Sequence, residues 1–405
     1  MKKIVIFGAG KIGRSFIGPL FANAGYHVVF VDIDRTLINE INRKGFYNVI
    51  HIKEERKTVR IDNISGVLAT DSEQVVMEIA GAELLAMSAG PKALPAIVSL
   101  IARGVVKRHE ESPRSPLDII IAENLRNASE IIRDLLKEKT GPGFPVESYV
   151  GLIETSVGKM VPIMSKQDMS DDMLKIYAEP YNTLILDKKG FRNPVPDVPG
   201  LAPKENIKAW VDRKSFIHNL GHVACAYLGY VSDPDYTYIY EVLENQQNKT
   251  LVRETMLEAA AILLSMYPDA FTMNDLTEHI DDLIDRFENR ALRDTVFRVG
   301  MDLHRKLGPE DRLAGAIRAG IRAQKPISRI LYTLVCGTFF RARDENRDMF
   351  EGDKKFIDHF NQGPGHILKA ICGFDENTHP GIFASAREYY DEISLSRESS
   401  MAPGS

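Results

Sequence analysis

Ile4-Val5-Ile6-Phe7-Gly8-Ala9-Gly10-Lys11-Ile12-Gly13 is the stretch that decides the fold. Its first four residues are apolar and mostly β-branched, and the run stops at a glycine, which reads as a strand buried on both faces of a parallel sheet. Gly8, Gly10 and Gly13 then make a GxGxxG turn into a helix, where Ile12, Phe16 and Leu20 recur at helical spacing, Pro19 is a potential kink and Gly25 a stop. In such a turn the first glycine makes the tight bend, the second lets backbone approach a pyrophosphate, and the third lets helix and strand pack closely. His27–Asp32 reads as the second strand, and its final acid stands about 20 residues beyond the glycines, where a dinucleotide site needs one.

The spacing therefore predicts a cofactor site made of Gly8, Ala9, Gly10, Lys11, Ile12, Gly13 and Asp32. A carboxylate at Asp32 accepts from ribose hydroxyls and repels a 2′-phosphate, which favours NAD over NADP. Arg35 stands near enough to offset part of that repulsion, or else is a solvated charge at a helix start. Ser88-Ala89-Gly90 follows another apolar run, Leu84–Met87, and so lies at a strand's carboxyl end, where ligands gather in open α/β sheets; a plain strand-to-helix turn is the alternative.

Outward from that core, a helix over 36–42, a helix over 94–102 and a strand over 119–122 continue the alternation of strands and helices, which implies a largely parallel sheet covered on both faces. Residues 190–203 are rich in Pro and Gly, and the domain boundary is placed there. Beyond it the pattern is helical almost throughout, over 207–227, 250–265, 277–287, 313–322 and 326–341. The expected class is α/β: a Rossmann-type dinucleotide-binding domain over 1–195, a mainly α-helical substrate and catalytic domain over 196–395, and a disordered tail over 396–405.

The 405 residues are 44% hydrophobic and 26% charged, with a formal net charge of −5, which sets aside disordered, collagen-like and strongly basic nucleic-acid-binding classes. No apolar run reaches the length of a membrane span, and the four-residue run at the N-terminus is too short for a signal peptide. Cys225, Cys336 and Cys372 are scattered, without a CxxC pair, which suits a reducing compartment; a cytoplasmic protein is expected.

In the helical half the densest polar segment is Asp212-Arg213-Lys214-Ser215-Phe216-Ile217-His218-Asn219-Leu220-Gly221-His222. At ~100° per residue, Lys214, Asn219 and His222 spread over an arc of about 140°, with His218 inside it, so α-helical geometry does not choose between the histidines. His218 and His222 also make an HxxxH pair, a spacing that can hold zinc, but Asn219 stands where HExxH has its glutamate. Metal is not expected.

Lys214, Asn219 and His222, followed by Ala226-Tyr227-Leu228-Gly229, resemble the active-site signature of the long-chain polyol dehydrogenase family. Phe7 to Arg14, Phe16-Ile17-Gly18, Ala122-Glu123-Asn124, Leu186-Asp187-Lys188, Val198-Pro199-Gly200, Arg286-Phe287-Glu288-Asn289 and residues 305–313 extend the resemblance from residue 2 to about 390. It implies metal-free, NAD-dependent oxidation of a sugar alcohol phosphate at a secondary carbon, giving fructose 6-phosphate from mannitol 1-phosphate, by a monomer or small homo-oligomer. Lys214 would be the general base, Asn219 and Asn124 would hold the oxygen on which charge develops, and His222 would bond neighbouring hydroxyls.

Asn124 would also border the cofactor, or cap the helix that follows it. A lysine begins near pKa ~10.4 and needs about 7–8 to act as a base, which costs roughly 3–4 kcal/mol. Arg286, Arg305, Lys306 and Arg312 are candidates for a substrate phosphate.

Two departures stand out. The family's Val-Asp-Arg-Ile is Val157-Gly158-Lys159-Met160 here, so an acid expected near the lysine is absent, with Asp212 or Glu154 as stand-ins. Its Asn-Pro is Asn289-Arg290. Other readings are a relative acting on free polyols or on hexuronates such as fructuronate or tagaturonate, and a redox-inactive NAD(H)-binding regulator.

Overall fold

The computed structural model describes residues 2–401 apart from 54, 124, 126, 163, 165 and 166. The chain divides into two compact units, Met1–Trp210 and Val211–Ser405.

Unit 1 is built on eleven strands among the described residues: β1 (Lys3–Phe7), β2 (His27–Asp32), β3 (Tyr47–Ile52), β4 (Arg56–Ile61), β5 (Ile64–Leu68), β6 (Leu84–Met87), β7 (Leu117–Ile121), β8 (Val150–Ser156), β9 (Ile176–Ala178), β10 (Leu184–Asp187) and β11 (Leu201–Lys204). Eight of them form one sheet in the order β11-β10-β8-β7-β6-β1-β2-β5. All its pairings are parallel except β10 against β8. The strand order reverses beside β1, with β2 on one side and β6 on the other, which is the switch point where open α/β sheets bind ligands. A smaller sheet, β4-β3-β9, was not anticipated from the sequence.

The apolar runs explain why this sheet is covered on both sides. Ile4, Ile6, Val28 and Phe30 belong to one buried cluster, while Val5, Phe7, Val29 and Val31 belong to the other. Alternate residues of a strand face opposite ways, so a continuous apolar run serves two cores at once.

The boundary falls later than the Pro/Gly-rich composition suggested. Leu184 N–H bonds to Gly200 O, Val198 is buried in the unit 1 core, and β11 pairs with β10 beyond the prolines. Unit 1 therefore runs to Trp210 rather than to 195. Of the tail expected over 396–405, residues 396–401 belong to the last helix, Pro380–Met401, and residues 402–405 lie outside the described residues.

Unit 2 is helical, with Ile239–Glu244, Gln246–Met266, Met273–Phe287, Ala314–Arg322 and Ser328–Thr338 among its elements. The three cysteines are buried and unpaired, and among the described residues no helix is long and apolar enough to cross a membrane.

Candidate functional site

The candidate residues fall in two groups, one in each unit. In unit 1, Gly8 has φ +97°, and a Cβ there would lie 2.8 Å from Ser88 O. A Cβ on Gly13 would lie 2.0 Å from Gly8 O, so close packing demands glycine at both positions. Gly10 differs: it is exposed, and a Cβ there would meet nothing within 4 Å. Its missing side chain leaves open the space that a pyrophosphate needs to reach the backbone. The residues present thus fit a dinucleotide.

After the glycines the helix does not begin as an α-helix. Gly13–Ile17 is a π turn, with Gly18 N–H bonded to Gly13 O, and α-helical bonding resumes over Gly18–Asn23. The change of register accommodates Pro19, which has no N–H to give, in the first turn of the α-helical part. Arg14, which the sequence did not single out, is buried beneath the loop and donates to Ala9 O at 2.6 Å and to Leu174 O at 2.5 Å.

Asp32 is fixed by two backbone donors, Ala9 N–H at 2.8 Å and Asp34 N–H at 3.0 Å, one on each oxygen. A carboxylate has about four acceptor positions, so two remain for ribose hydroxyls. Arg35 is exposed at the start of the helix Arg35–Lys44, which Asp34 caps. Lys11 is exposed, whereas Ile12 packs on the core.

Ser88 donates through Oγ to Phe7 O and Gly8 O, each at 3.3 Å, so its hydroxyl braces the glycine turn. Gly90 has φ +92°, and its N–H points to Glu123 Oε1 at 3.0 Å. That donor is therefore held by the protein itself. Burial raises the Glu123 carboxyl above the usual range, against the opposing pull of the Gly90 and Ala89 N–H groups. Asn124 lies outside the described residues.

The two acids considered as stand-ins at Gly158 have other work. Glu154 Oε1 accepts from both the N–H and Oγ of Ser129 at 2.9 Å, capping the helix Ala128–Thr140, whose Asn127 supplies no side-chain cap. Asp212 is buried in unit 2 and accepts from Tyr267 OH at 2.6 Å. At Gly158 itself the nearest described atoms to a Cβ would be those of the Tyr181 phenol, at 3.7–3.8 Å, which is ordinary contact distance for a side chain.

The segment expected as one helix over 207–227 is broken into Ile207–Arg213, a π turn over Lys214–Asn219, and an α-helix over Leu220–Ser232. Leu220 N–H bonds to Ser215 O, five residues back. This corrects the α-helical arc: bonding from i to i+5 closes a turn over more than four residues, which brings Lys214 and Asn219 onto nearly one face. His222, three residues further along ordinary α-helix, returns to that face.

Lys214 is half-buried, and burial followed by the nearby Arg312 charge lowers its ammonium to about 8. A cation tunes it. Arg312 is held by Asp311 at 2.6 Å and directs Nη1 toward Asn219 O at 3.5 Å.

His222 Nε2 lies 2.9 Å from Asp294 Oδ2, with its ring stacked on Phe287 at 4.8 Å and 7°. Burial lowers His222 despite Asp294, so a neutral imidazole donates Nε2–H to the carboxylate. Burial alone would raise Asp294, yet His222 and Arg298 hold it at about 2. Arg298 Nε bonds Asp294 Oδ1 at 2.5 Å, leaving Oδ2 to the histidine. The sequence did not reveal Asp294, Arg298 or Phe287 as partners of His222; an i, i+4 Asp–Arg pair is common on helices and carries no chemical signature.

His218 is buried against Phe287 and held well below its ordinary range by burial, then by Arg286, His222, Lys214 and His279. Among the described residues no group of three or more His, Cys, Asp or Glu is arranged to hold a metal ion.

The expected phosphate cations differ in their partners. Lys306 is buried, donates to Val299 O at 2.6 Å, and is lowered to about 7 by burial and then by Arg312 and Arg305. Arg286 pairs with Asp282 at 3.4 Å. Arg305 is half exposed and paired with Asp302 at 2.5 Å and Asp311 at 3.5 Å. Arg290, at the second departure, pairs with Glu244 and lies over the Tyr240 ring at 5.1 Å, while Asn289 still caps Ala291 N–H at 3.0 Å.

Two family descriptions match the chain: the mannitol dehydrogenase Rossmann domain over residues 2–200, and the mannitol dehydrogenase C-terminal domain over 206–362. Among solved structures, the Pseudomonas fluorescens mannitol 2-dehydrogenase ternary complex with NAD and D-mannitol is similar at TM-score 0.74 and 15% identity, over 97% of this chain and 92% of that one. A D-sorbitol dehydrogenase in substrate-free form is similar at TM-score 0.78 and 17% identity, over 96% and 93%. At these identities the likeness is one of fold.

Proposed function

Because the chain belongs to the mannitol dehydrogenase family, we propose that it interconverts mannitol 1-phosphate and fructose 6-phosphate with NAD, as a metal-independent mannitol-1-phosphate 5-dehydrogenase. Family and fold together indicate NAD-dependent polyol dehydrogenation. The phosphorylated substrate, the lysine base and the metal-free mechanism rest on the side chains of unit 2. The observation that carries the reading is Lys214 on its π turn, lowered to about 8 by burial and Arg312.

Gly8 to Gly13, Asp32 and Ser88 would hold the dinucleotide, which supplies a hydride acceptor when bound. Lys214, neutral above about pH 8, takes the hydroxyl proton from the carbon being oxidised. The Asn219 amide donates to the oxygen as negative charge develops there, with Asn124 as a second donor, and this replaces a metal ion's Lewis acidity. His222, having given Nε2–H to Asp294, offers Nδ1 as an acceptor to a neighbouring substrate hydroxyl. Protonated Lys214 lies close to Arg312, which favours release of the proton after each turnover.

Arg286 supports an anionic substrate, since its guanidinium contributes positive charge at His218. A screen of NADH oxidation against fructose 6-phosphate, fructose, fructuronate and tagaturonate tests the reading. Fructose 6-phosphate is expected to give the highest kcat/KM. Equal activity with fructose removes the phosphate, and a preference for either hexuronate assigns the cations to a carboxylate.

A further inference from the structure

The acid Glu123 stands where nothing in the proposed reaction uses it. It follows β7, two strands from the switch-point strand β1 on the side away from Asp32. In a doubly wound sheet the acid after β2 marks the adenosine half, so the loops after β6 and β7 border the nicotinamide half. Glu123 joins these two loops: its carboxylate accepts Gly90 N–H at 3.0 Å, and Ala122 N–H bonds to Met87 O at 2.9 Å. The loop it grips is also the one that Ser88 ties to the glycine turn.

Its partners are backbone amides. Among the described residues, the groups acting on the carboxylate are its own burial and the opposing Gly90 and Ala89 N–H dipoles. Elsewhere in this loop region Glu154 is likewise spent on a cap, but against a helix N-terminus rather than a ligand-bearing loop. A half-buried negative charge retained at this edge distinguishes two ligands of the same shape, because an oxidised nicotinamide ring carries one positive charge and a reduced ring none.

We propose that Glu123 is the residue that sets the preference of the cofactor cradle for the oxidised over the reduced dinucleotide. This rests on the dinucleotide reading of the glycine turn. The carboxylate has two separable parts, an acceptor that shapes the Ser88–Gly90 turn and a charge that acts on the ring.

The test is a pair of dissociation constants, for NAD+ by calorimetry and for NADH by fluorescence, measured on the full chain at pH 8. Glu123→Gln keeps an acceptor for Gly90 N–H and removes the charge. It is expected to raise the ratio Kd(NAD+)/Kd(NADH) about three- to tenfold, the scale of one unit charge acting through a wet, half-buried cleft. Glu123→Asp keeps the charge at a shorter reach, so it should weaken both ligands while holding the wild-type ratio within about twofold. A Glu123→Gln ratio equal to wild type, in a protein that still binds both forms, overturns the proposal. Failure of the wild-type protein to bind either dinucleotide overturns the reading of the glycine turn instead.

Discussion

At Gly13–Ile17 and at Lys214–Asn219 helical bonding widens to i→i+5, and the two π turns serve different ends. The first follows a loop proposed to act through its backbone: glycines clear space, and the Asp32 carboxylate is oriented by N–H donors from Ala9 and Asp34. The second carries the side chains proposed for the chemistry, Lys214 and Asn219 on the turn and His222 just beyond. A backbone site needs absence of bulk. A side-chain site needs ionisable groups driven out of their ordinary protonation states by burial and by one another.

Breaking each site by its own logic gives the largest effects. Lys214→Ala should lower kcat by about 10³-fold or more while leaving the Kd for NADH within about twofold, measured by steady-state rates and NADH fluorescence. In unit 1 the informative pair is Gly10→Ala against Gly13→Ala. Gly10→Ala meets no protein atom, so it should weaken NADH at least about tenfold with little change in melting temperature. Gly13→Ala drives a methyl to 2.0 Å from Gly8 O and should cost at least about 1–3 kcal/mol of stability. Equal melting temperatures for those two variants would dissolve the distinction between a ligand-facing and a packing glycine.

Smaller effects sharpen the comparison. Asp294→Asn leaves His222 a weaker partner and Arg298 without its carboxylate, and is expected to lower kcat/KM for the polyol about ten- to a hundredfold without altering NADH affinity. Glu154→Gln removes a charged cap from the helix Ala128–Thr140, so it should cost about 1 kcal/mol in chemical denaturation and leave turnover unchanged. A large loss of turnover in Glu154→Gln would return that residue to the role of proton acceptor.

What the sequence made legible follows the same division. Gly8, Gly10, Gly13 and Asp32 could be read directly because their purpose depends on local chain geometry, and β2 and β6 appear with the limits their apolar runs suggested. Lys214, Asn219 and His222 were recognisable by resemblance, but their mutual placement was not, since an α-helical wheel cannot anticipate an i→i+5 turn. Asp294 lies 72 residues from His222 in sequence, and only the tertiary fold brings the pair to 2.9 Å. The domain boundary slipped for a related reason: Pro196 and Pro199 look like a linker, yet β11 beyond them pairs with β10.

The pH dependence of polyol oxidation tests the central claim most directly. Lysine lowered to about 8 is protonated and idle below that pH and a free base above it, so kcat/KM for oxidation should rise through an ionisation near 8. Ketose reduction needs the protonated lysine and should fall through the same region. Arg312→Gln, by removing the positive charge that acts on Lys214, should move that ionisation upward. A profile with no ionisation between about pH 7 and 9, or one unmoved in Arg312→Gln and retained in Lys214→Ala, would contradict Lys214 as the base.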